Sequence, residues 1–384
     1  MPATDIPSRP RRRGDRGFAL AISIFALVII AALIVGAFFA ARQEMKLGLN
    51  SRTSVRALGA AEAGLNTTVA NWQTGTWNAM AVGDSVAFSG TLPSNGGSYS
   101  GQVRRLNTQL FLIRSTGTDP QALVQRTLAA FTRLQLIEMA FPGALTVRGT
   151  TSLGGTAELD GRDARPPGWT ECPTTGLDTV PGAVVPPASF DSSGSSSVFG
   201  DPPVRQDATL NDSTFFKYGN LNWNSLTAMA TKVYSTSVGP LNSLGPVGTA
   251  TTCSTGTMNN WGDPLRSAGT KGCWNYFPII YVNGNITVNG DLGQGILLVA
   301  GDMIVQGSFQ FYGPVIVRGH LKITGGGNTE SHFIGGVMAA DVDVESSTIS
   351  GHSVIQYSSC ALATALRGSS LGRLIRERSW VEVF

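Results

Sequence analysis

Residues 18 to 41 carry no charge, and only Ser23 among them is clearly polar. At a rise of about 1.5 Å per residue, a helix over this stretch is about 36 Å long and spans a hydrocarbon core of about 30 Å with some tilt. Phe18, Ile22, Phe25, Ile29 and Leu33 lie on one side, and Leu20, Ile24, Leu27 and Ile34 point elsewhere. A helix that is apolar all round belongs in lipid or in a protein core. The competing reading is a cleaved secretory signal, whose apolar stretch usually runs about 7–15 residues and ends at a small-residue cleavage site. Here the stretch is longer and a helical pattern continues beyond it, which favours a lipid anchor.

Arg9, Arg11, Arg12, Arg13 and Arg16 precede the span, offset by Asp5 and Asp15, while Arg42 and Lys46 follow it around Glu44. The heavier basic cluster is expected to stay cytoplasmic, which puts the remainder outside. Those first residues already account for the formal charge of +3, so the rest of the chain is balanced. A nucleic-acid binder usually carries a basic patch in its folded body. The arginine-rich tip is therefore read as a topology signal, and no nucleic-acid partner is expected. Low charge, at 14%, and 47 glycines suggest a turn-rich, mainly β body.

Past the anchor, Leu58, Ala61, Leu65, Val69 and Trp72 recur at three- and four-residue spacing. The helix should then run over 18–75 and bury one face of its second half, with Gly48, Gly59 and Gly64 as points of kinking. Short strands are expected at 85–88, 99–106 and 109–115, and 123–136 fits strand or helix equally. Together 76–140 reads as a small antiparallel sheet beside the helix.

The strongest regularity lies further on. Gly295, Gly301, Gly307, Gly313, Gly319 and Gly325 are six apart, with apolar pairs between them: Met303/Val305, Phe309/Phe311, Val315/Val317 and Leu321/Ile323. Gly143, Gly149, Gly155 and Gly161 keep the same step. Residues two apart face the same side of a strand, and glycine serves a corner. Three sides of six make a coil of roughly eighteen residues, and coils stack about 4.8 Å apart. The expectation is a parallel β-helix, or solenoid, with a first coil at 141–161 and the main stack at 278–357. Residues 162–277 read as a long insertion along its outside, and 358–384 as a C-terminal helix capping an open end.

Cys172, Cys253, Cys273 and Cys360 form no CxxC pair, so a zinc or redox motif is not expected, and their even number in an exported region suggests disulfides. Three connectivities exist. Cys253–Cys273 closes a short loop in one irregular segment, which leaves Cys172–Cys360. His320, His332 and His352 have no metal spacing, and His320 is expected on the surface. GxSxG, Walker-type and GxGxxG motifs are absent. Asp291, Asp302, Asp341, Asp343 and Glu345 are the candidate carboxylates for an anchored polysaccharide-cleaving enzyme. Solvated strand flanks are the simpler reading, so no enzyme, cofactor or metal is expected.

Arg16-Gly17-Phe18-Ala19-Leu20, the apolar helix and Ala60-Ala61-Glu62-Ala63-Gly64-Leu65-Asn66 resemble the amino-terminal segment of PilX-like type IV pilus assembly proteins, relatives of minor pilins. The resemblance covers about residues 11 to 75. It implies a leader, 1–17, cut between Gly17 and Phe18 by a cytoplasmic-side peptidase. It also implies an inner-membrane anchor and packing with pilin-like subunits and the pilus assembly machinery. Ile22 stands where many pilins carry a glutamate, which implies a place at a filament tip or in the inner membrane. The hexad region is similar to bactofilin-like, polymer-forming β-helices, a resemblance of fold. The expected fold class is thus mainly β with a long N-terminal helix: pilin-like helix and small sheet, then a parallel β-helix with an insertion. The expected role is display of that body in the periplasm or on a pilus, toward a subunit or an adhesion target. An end-to-end polymerising membrane scaffold is the remaining rival.

Overall fold

The computed structural model describes residues 16–93, 96–174, 178–211, 217–219, 221–324, 330–339, 347–350, 353–375 and 380–383. The basic tip before Arg16 lies outside them, as do Gly325, Asp341, Asp343, Glu345 and His352. Among the described residues the chain has a long N-terminal helix and is otherwise largely β.

Helix α1 spans Arg16–Ala70 in one piece, so Gly48, Gly59 and Gly64 do not interrupt it. Its second half lies on an antiparallel sheet of β1 (Ser85–Thr91), β2 (Ser98–Arg105), β3 (Leu110–Thr118) and β4 (Gln125–Gln135). The ambiguous 123–136 stretch is thus largely strand. Alternation explains why: Leu128, Ala130 and Leu134 pack toward α1 with Phe111 and Ile113, while Phe131 and Arg133 face outward. The short helix α2 (Thr74–Trp77) follows α1 and sets Trp77 edge-on against Trp72.

The sheet is not local to 76–140. Residues 371–374 and 380–383 from the far end of the chain both pair antiparallel with β4. They are joined to the rest through helix α4 (Ser359–Gly368), while α3 (Trp223–Ala228) lies further up the chain.

Apart from an antiparallel pair at 217–218 and 221–222, the remaining described strands form two parallel ladders. One contains, in order, 232–234, 279–282, 296–299, 310–317, 331–339, 353–357, 158–160 and 197–199, with further strands at 145–147, 183–185, 204–206 and 292–294. The other runs 238–241, 286–289, 303–306, 321–324, 347–350, 151–153 and 190–192. The chain passes repeatedly between the two, with consecutive strands of one ladder at 158–160/183–185, 197–199/204–206 and 292–294/296–299, and Val288, Val299, Val305, Val317 and Ile323 fall in one fully buried cluster.

Residues 162–277 do more than lie alongside. They supply strands 183–185, 190–192, 197–199 and 204–206 at one end of the ladders, and 232–234 and 238–241 at the other. The 145–160 segment pairs beyond 331–357 and so sits late in the stack despite coming first in sequence. Helix α4 does not close a ladder end. It packs Leu362 and Leu366 on Ile296, Leu298, Ile316 and Met338, the outward-facing apolar residues of one ladder. Those residues need cover, and an amphipathic helix provides it.

The hexad glycines answer two different demands. Gly295, Gly307 and Gly313 take positive φ, as a corner reading requires. Gly301 and Gly319 do not. A Cβ on Gly301 would stand 2.1 Å from Asn285 Oδ1, and one on Gly319 would stand 2.2 Å from Asp302 Oδ1. Close approach of a neighbouring rung, not backbone angle, excludes larger residues there.

Candidate functional site

The segment Ala61, Glu62, Ala63, Gly64 sits where α1 meets the sheet. Ala57, Ala60 and Ala61 are buried, Gly64 is buried and Glu62 is exposed. Small residues let the helix close on the strands. A Cβ on Gly117 of β3 would stand 2.1 Å from the Ala57 carbonyl oxygen and 2.2 Å from the Ala61 nitrogen. On Gly64 it would meet Ser115 Oγ at 2.5 Å. Further along, Trp72 lies edge-on to Phe111 at 5.1 Å. Thus Gly117, Ser115 and Phe111 track Ala57, Gly64 and Trp72, so β3 runs beside α1 in the opposite direction.

The first half of α1 has no such partner. Phe18 is 73% exposed, and Leu20, Ile22, Phe25, Leu33 and Phe39 are exposed as well. This half is long and apolar enough to cross a bilayer. The boundary is abrupt: exposure dominates up to Arg56 and burial begins at Ala57. Arg126 reaches back across it, donating from Nε to Ser54 Oγ at 2.8 Å and pairing with Glu382 at 3.3 Å.

The junction between the sheet and the ladders turns on Asn78 and Arg105. Asn78 Nδ2 donates to the Gly368 and Ser370 carbonyls at 3.0 and 2.8 Å, and its Oδ1 accepts from Trp72 Nε1 at 2.8 Å. Arg105 donates to the carbonyls of Asn78 and Met80 at 2.8 and 2.5 Å, and to Thr108 at 2.9 Å. Burial, helped by the charge of Arg367, lowers the pKa of Arg105. Neither residue was singled out from the sequence, and no local motif marks them, because their partners lie far along the chain.

The cysteines pair as Cys172–Cys360 and Cys253–Cys273. The first holds the start of α4 against the loop carrying Trp169, which stacks on Tyr312 at 5.9 Å. The second closes a loop at one ladder end, where Trp261 enters the buried cluster.

Of the acids flagged in the sequence, Asp341, Asp343 and Glu345 lie outside the described residues, and the two described ones make local structural contacts. Asp302 Oδ1 accepts from the His320 backbone N–H at 2.9 Å and contacts His320 Nδ1 at 3.2 Å. His320 is accordingly half-buried against its neighbouring rung and not a simple surface histidine. Asp291 Oδ2 accepts from the Leu244 N–H at 2.8 Å and so fixes the end loop. Among the described residues no group of His, Cys, Asp and Glu is arranged to hold a metal ion. A cleft of about 290 Å³ between the sheet and α4 is lined by Arg105, Glu171, Arg266 and Arg367. Its Arg266 is spent on Glu171 at 2.8 Å, on the Trp274 carbonyl and on the face of Trp169 at 4.5 Å. Burial lowers the pKa of Arg266, against the raising influence of Glu171 and Asp263. This chemistry is structural clamping.

No known protein family matches the chain, and no curated protein does. Among solved structures it is similar to the competence-associated pilin ComZ from Thermus thermophilus. The identity is 12%, the coverage is 86% of this chain and 97% of that one, and the TM-score is 0.25. A score this low carries no claim about function. The candidate site is therefore defined by the chain itself: a bare apolar half-helix continuous with a half-helix seated on a sheet.

Proposed function

We propose that this chain is a non-enzymatic, pilin-like assembly protein, of the PilX-like minor-pilin kind. It is anchored in the bacterial inner membrane by residues 18–41, with its body in the periplasm or on a pilus. The observation that carries the reading is the division of one unbroken helix into an exposed apolar half and a half buried on an antiparallel sheet. Exposed apolar surface of this extent needs lipid or other helices around it. In the membrane it meets lipid, and in an assembly it meets the equivalent halves of other subunits. Gly17 and Phe18 are the proposed cleavage point, and uncharged Ile22 costs nothing in either setting.

The reading is tested by fractionating cells with and without a prepilin peptidase and sequencing the mature amino terminus. Membrane-bound protein beginning at Phe18 is expected. Protein cut near Ala40 and free in the periplasm would overturn it.

The body is proposed to be a parallel β-helix, with Gly295, Gly301, Gly307, Gly313, Gly319 and Gly325 at its corners. The support is the repeated passage of the chain between two parallel ladders and the single apolar cluster to which both contribute. Val305→Asp should then remove hydrogen-exchange protection from both ladders at once. Loss confined to the ladder containing 303–306 would rule out a shared interior.

A further inference from the structure

The outer face of the antiparallel sheet, away from α1, has its own chemistry. Strand register fixes its rows. Ser89, Ser100, Thr116 and Thr127 stand side by side across four strands, a row of hydroxyls. The next row holds Gln102, Arg114, Ala129 and Val381, then come Arg104, Leu112 and Phe131, then Leu110, Arg133 and Arg373. At about 3.4 Å per residue the rows are about 7 Å apart, so the arginines cover about 14 Å. Arg104, Arg114, Arg133 and Arg373 are all exposed. A hollow of about 670 Å³ lies on the hydroxyl side, lined by Ser89, Ser100, Gln102, Arg114 and Thr116.

Two features make this face unusual. Among the described residues none of the four arginines is paired with a carboxylate. Arg133 makes a 3.4 Å contact with Gln109, and Glu382 is taken by Arg126 on the helix side. In addition, Arg133 and Arg373 sit directly opposite in register. Like charges so placed destabilise a sheet. A row that costs stability without a partner points to an anion that arrives from outside.

We propose that this face binds an acidic polysaccharide, a chain of carboxylated sugars. Guanidinium groups take carboxylates in a two-point fork. The adjacent hydroxyls and the Gln102 amide match the neutral hydroxyls that a sugar chain presents. Single-stranded nucleic acid is favoured by a platform of several exposed rings, whereas Phe88 and Tyr99 turn toward α1 and, among the described side chains, Phe131 alone is exposed here. The membrane carrying α1 is excluded by direction. Because β3 runs beside α1, the face lies along the helix axis and stands upright on any bilayer that the helix crosses. The inference does not rest on cleavage or on filament entry.

The test is calorimetric titration of the full chain in detergent with a polygalacturonate oligosaccharide. Neutral dextran, polyaspartate and duplex DNA serve as comparisons. Saturable binding that weakens with salt is expected for polygalacturonate and not for dextran. Arg114→Ala and Arg373→Thr should each reduce affinity about tenfold, as expected for losing a charged hydrogen-bonded contact. Arg373→Thr should leave the melting temperature equal or higher, since it removes the like-charge pair. Ser100→Val should weaken polygalacturonate more than polyaspartate. Absence of binding at low salt, unchanged affinity in both arginine variants, or equal or tighter binding of DNA or polyaspartate would each overturn the proposal.

Discussion

The sheet beside α1 and the parallel ladder containing 296–299 bury apolar surface in opposite ways. The sheet has one dry face and one wet face, so β4 reads buried and exposed in turn from Ala130 to Leu134. The ladder containing 296–299 is covered on both faces, while the other alternates, with exposed Lys322 between buried Leu321 and Ile323. Leu297 and Val299 fall in the large buried cluster, while Ile296 and Leu298 fall in the cluster with residues of α3 and α4, so Ile-Leu-Leu-Val reads as one apolar run. Parallel strands show this pattern because they are seldom left open to water. The lesson is that the sheet leaves one surface open to water, whereas the ladder containing 296–299 finds its cover within the chain.

Disulfides sharpen this contrast most, because both lie in the ladder half. Cys172–Cys360 spans 188 residues and Cys253–Cys273 spans 20. On a chain-entropy model, serine pairs in their place should cost about 5 and about 3 kcal/mol. Denaturant titration of the two double variants measures the difference, and an equal loss would break the expected ranking. Next in size is Gly117→Val in the sheet, expected to cost about 3 kcal/mol, because the new atoms meet α1 backbone that cannot yield. Hydrogen exchange should place the loss in β3 and α1 with the ladder amides still protected. Unfolding of the ladders at the same denaturant concentration would show instead that the two regions are one cooperative unit.

How much was legible in the residues follows from where each region keeps its information. A six-residue glycine step with paired apolar residues announces repeated short strands, since each repeat is local. The same period could not say that 145–160 stacks after 331–357, because every rung offers similar edges. Nor could it separate Gly313, which needs its φ of 130°, from Gly301, which needs the space. In the sheet, β4 reads equally as strand or helix from sequence, and the strands at 371–374 and 380–383 leave no local mark, because they pair across most of the chain. The apolar half of α1 is the plainest feature, and the spacing of Leu58, Ala61, Leu65, Val69 and Trp72 points to the helix–sheet seat. Asn78, Arg105 and Gly117 escaped, since each matters only through what folds against it.

Titration separates the regions by sign. Burial pushes the phenols of Tyr276 and Tyr312, both on the ladder side, up to about 12. An unfolded tyrosine titrates near 10, so above that pH the unfolded chain releases protons that the folded one still holds. Stability should fall between about pH 10 and 12, by about 1.4 kcal/mol per tyrosine at pH 11. Tyr276→Phe and Tyr312→Phe should flatten the alkaline limb of a stability–pH curve. In the sheet, burial raises the carboxyl pKa of Asp119, but N–H donors from Val124, Gln121 and Leu123 outweigh this and hold it low. Its contribution is present above the usual carboxylate range and is lost as pH falls through the lowered value. Asp119→Asn should therefore blunt the acid limb alone. A change in the alkaline limb as well would contradict the separation.

The smallest expected effect tests what holds one rung on the next. Ser237 Oγ accepts from the Asn285 N–H at 2.9 Å, Asn285 Oδ1 from the Asp302 N–H at 2.9 Å, and Asp302 Oδ1 from the His320 N–H at 2.9 Å. Each side chain thus satisfies the backbone donor at the same place one rung further on, beside the glycines that make room for it. Asn285→Ala removes one acceptor and exposes no apolar core, so a loss of about 1 kcal/mol is expected. Asn285→Asp keeps the acceptor and should lose less. If alanine cost no more than aspartate, the ladder corners would be held by apolar packing alone, and the polar column would be a consequence of the stack and not one of its causes.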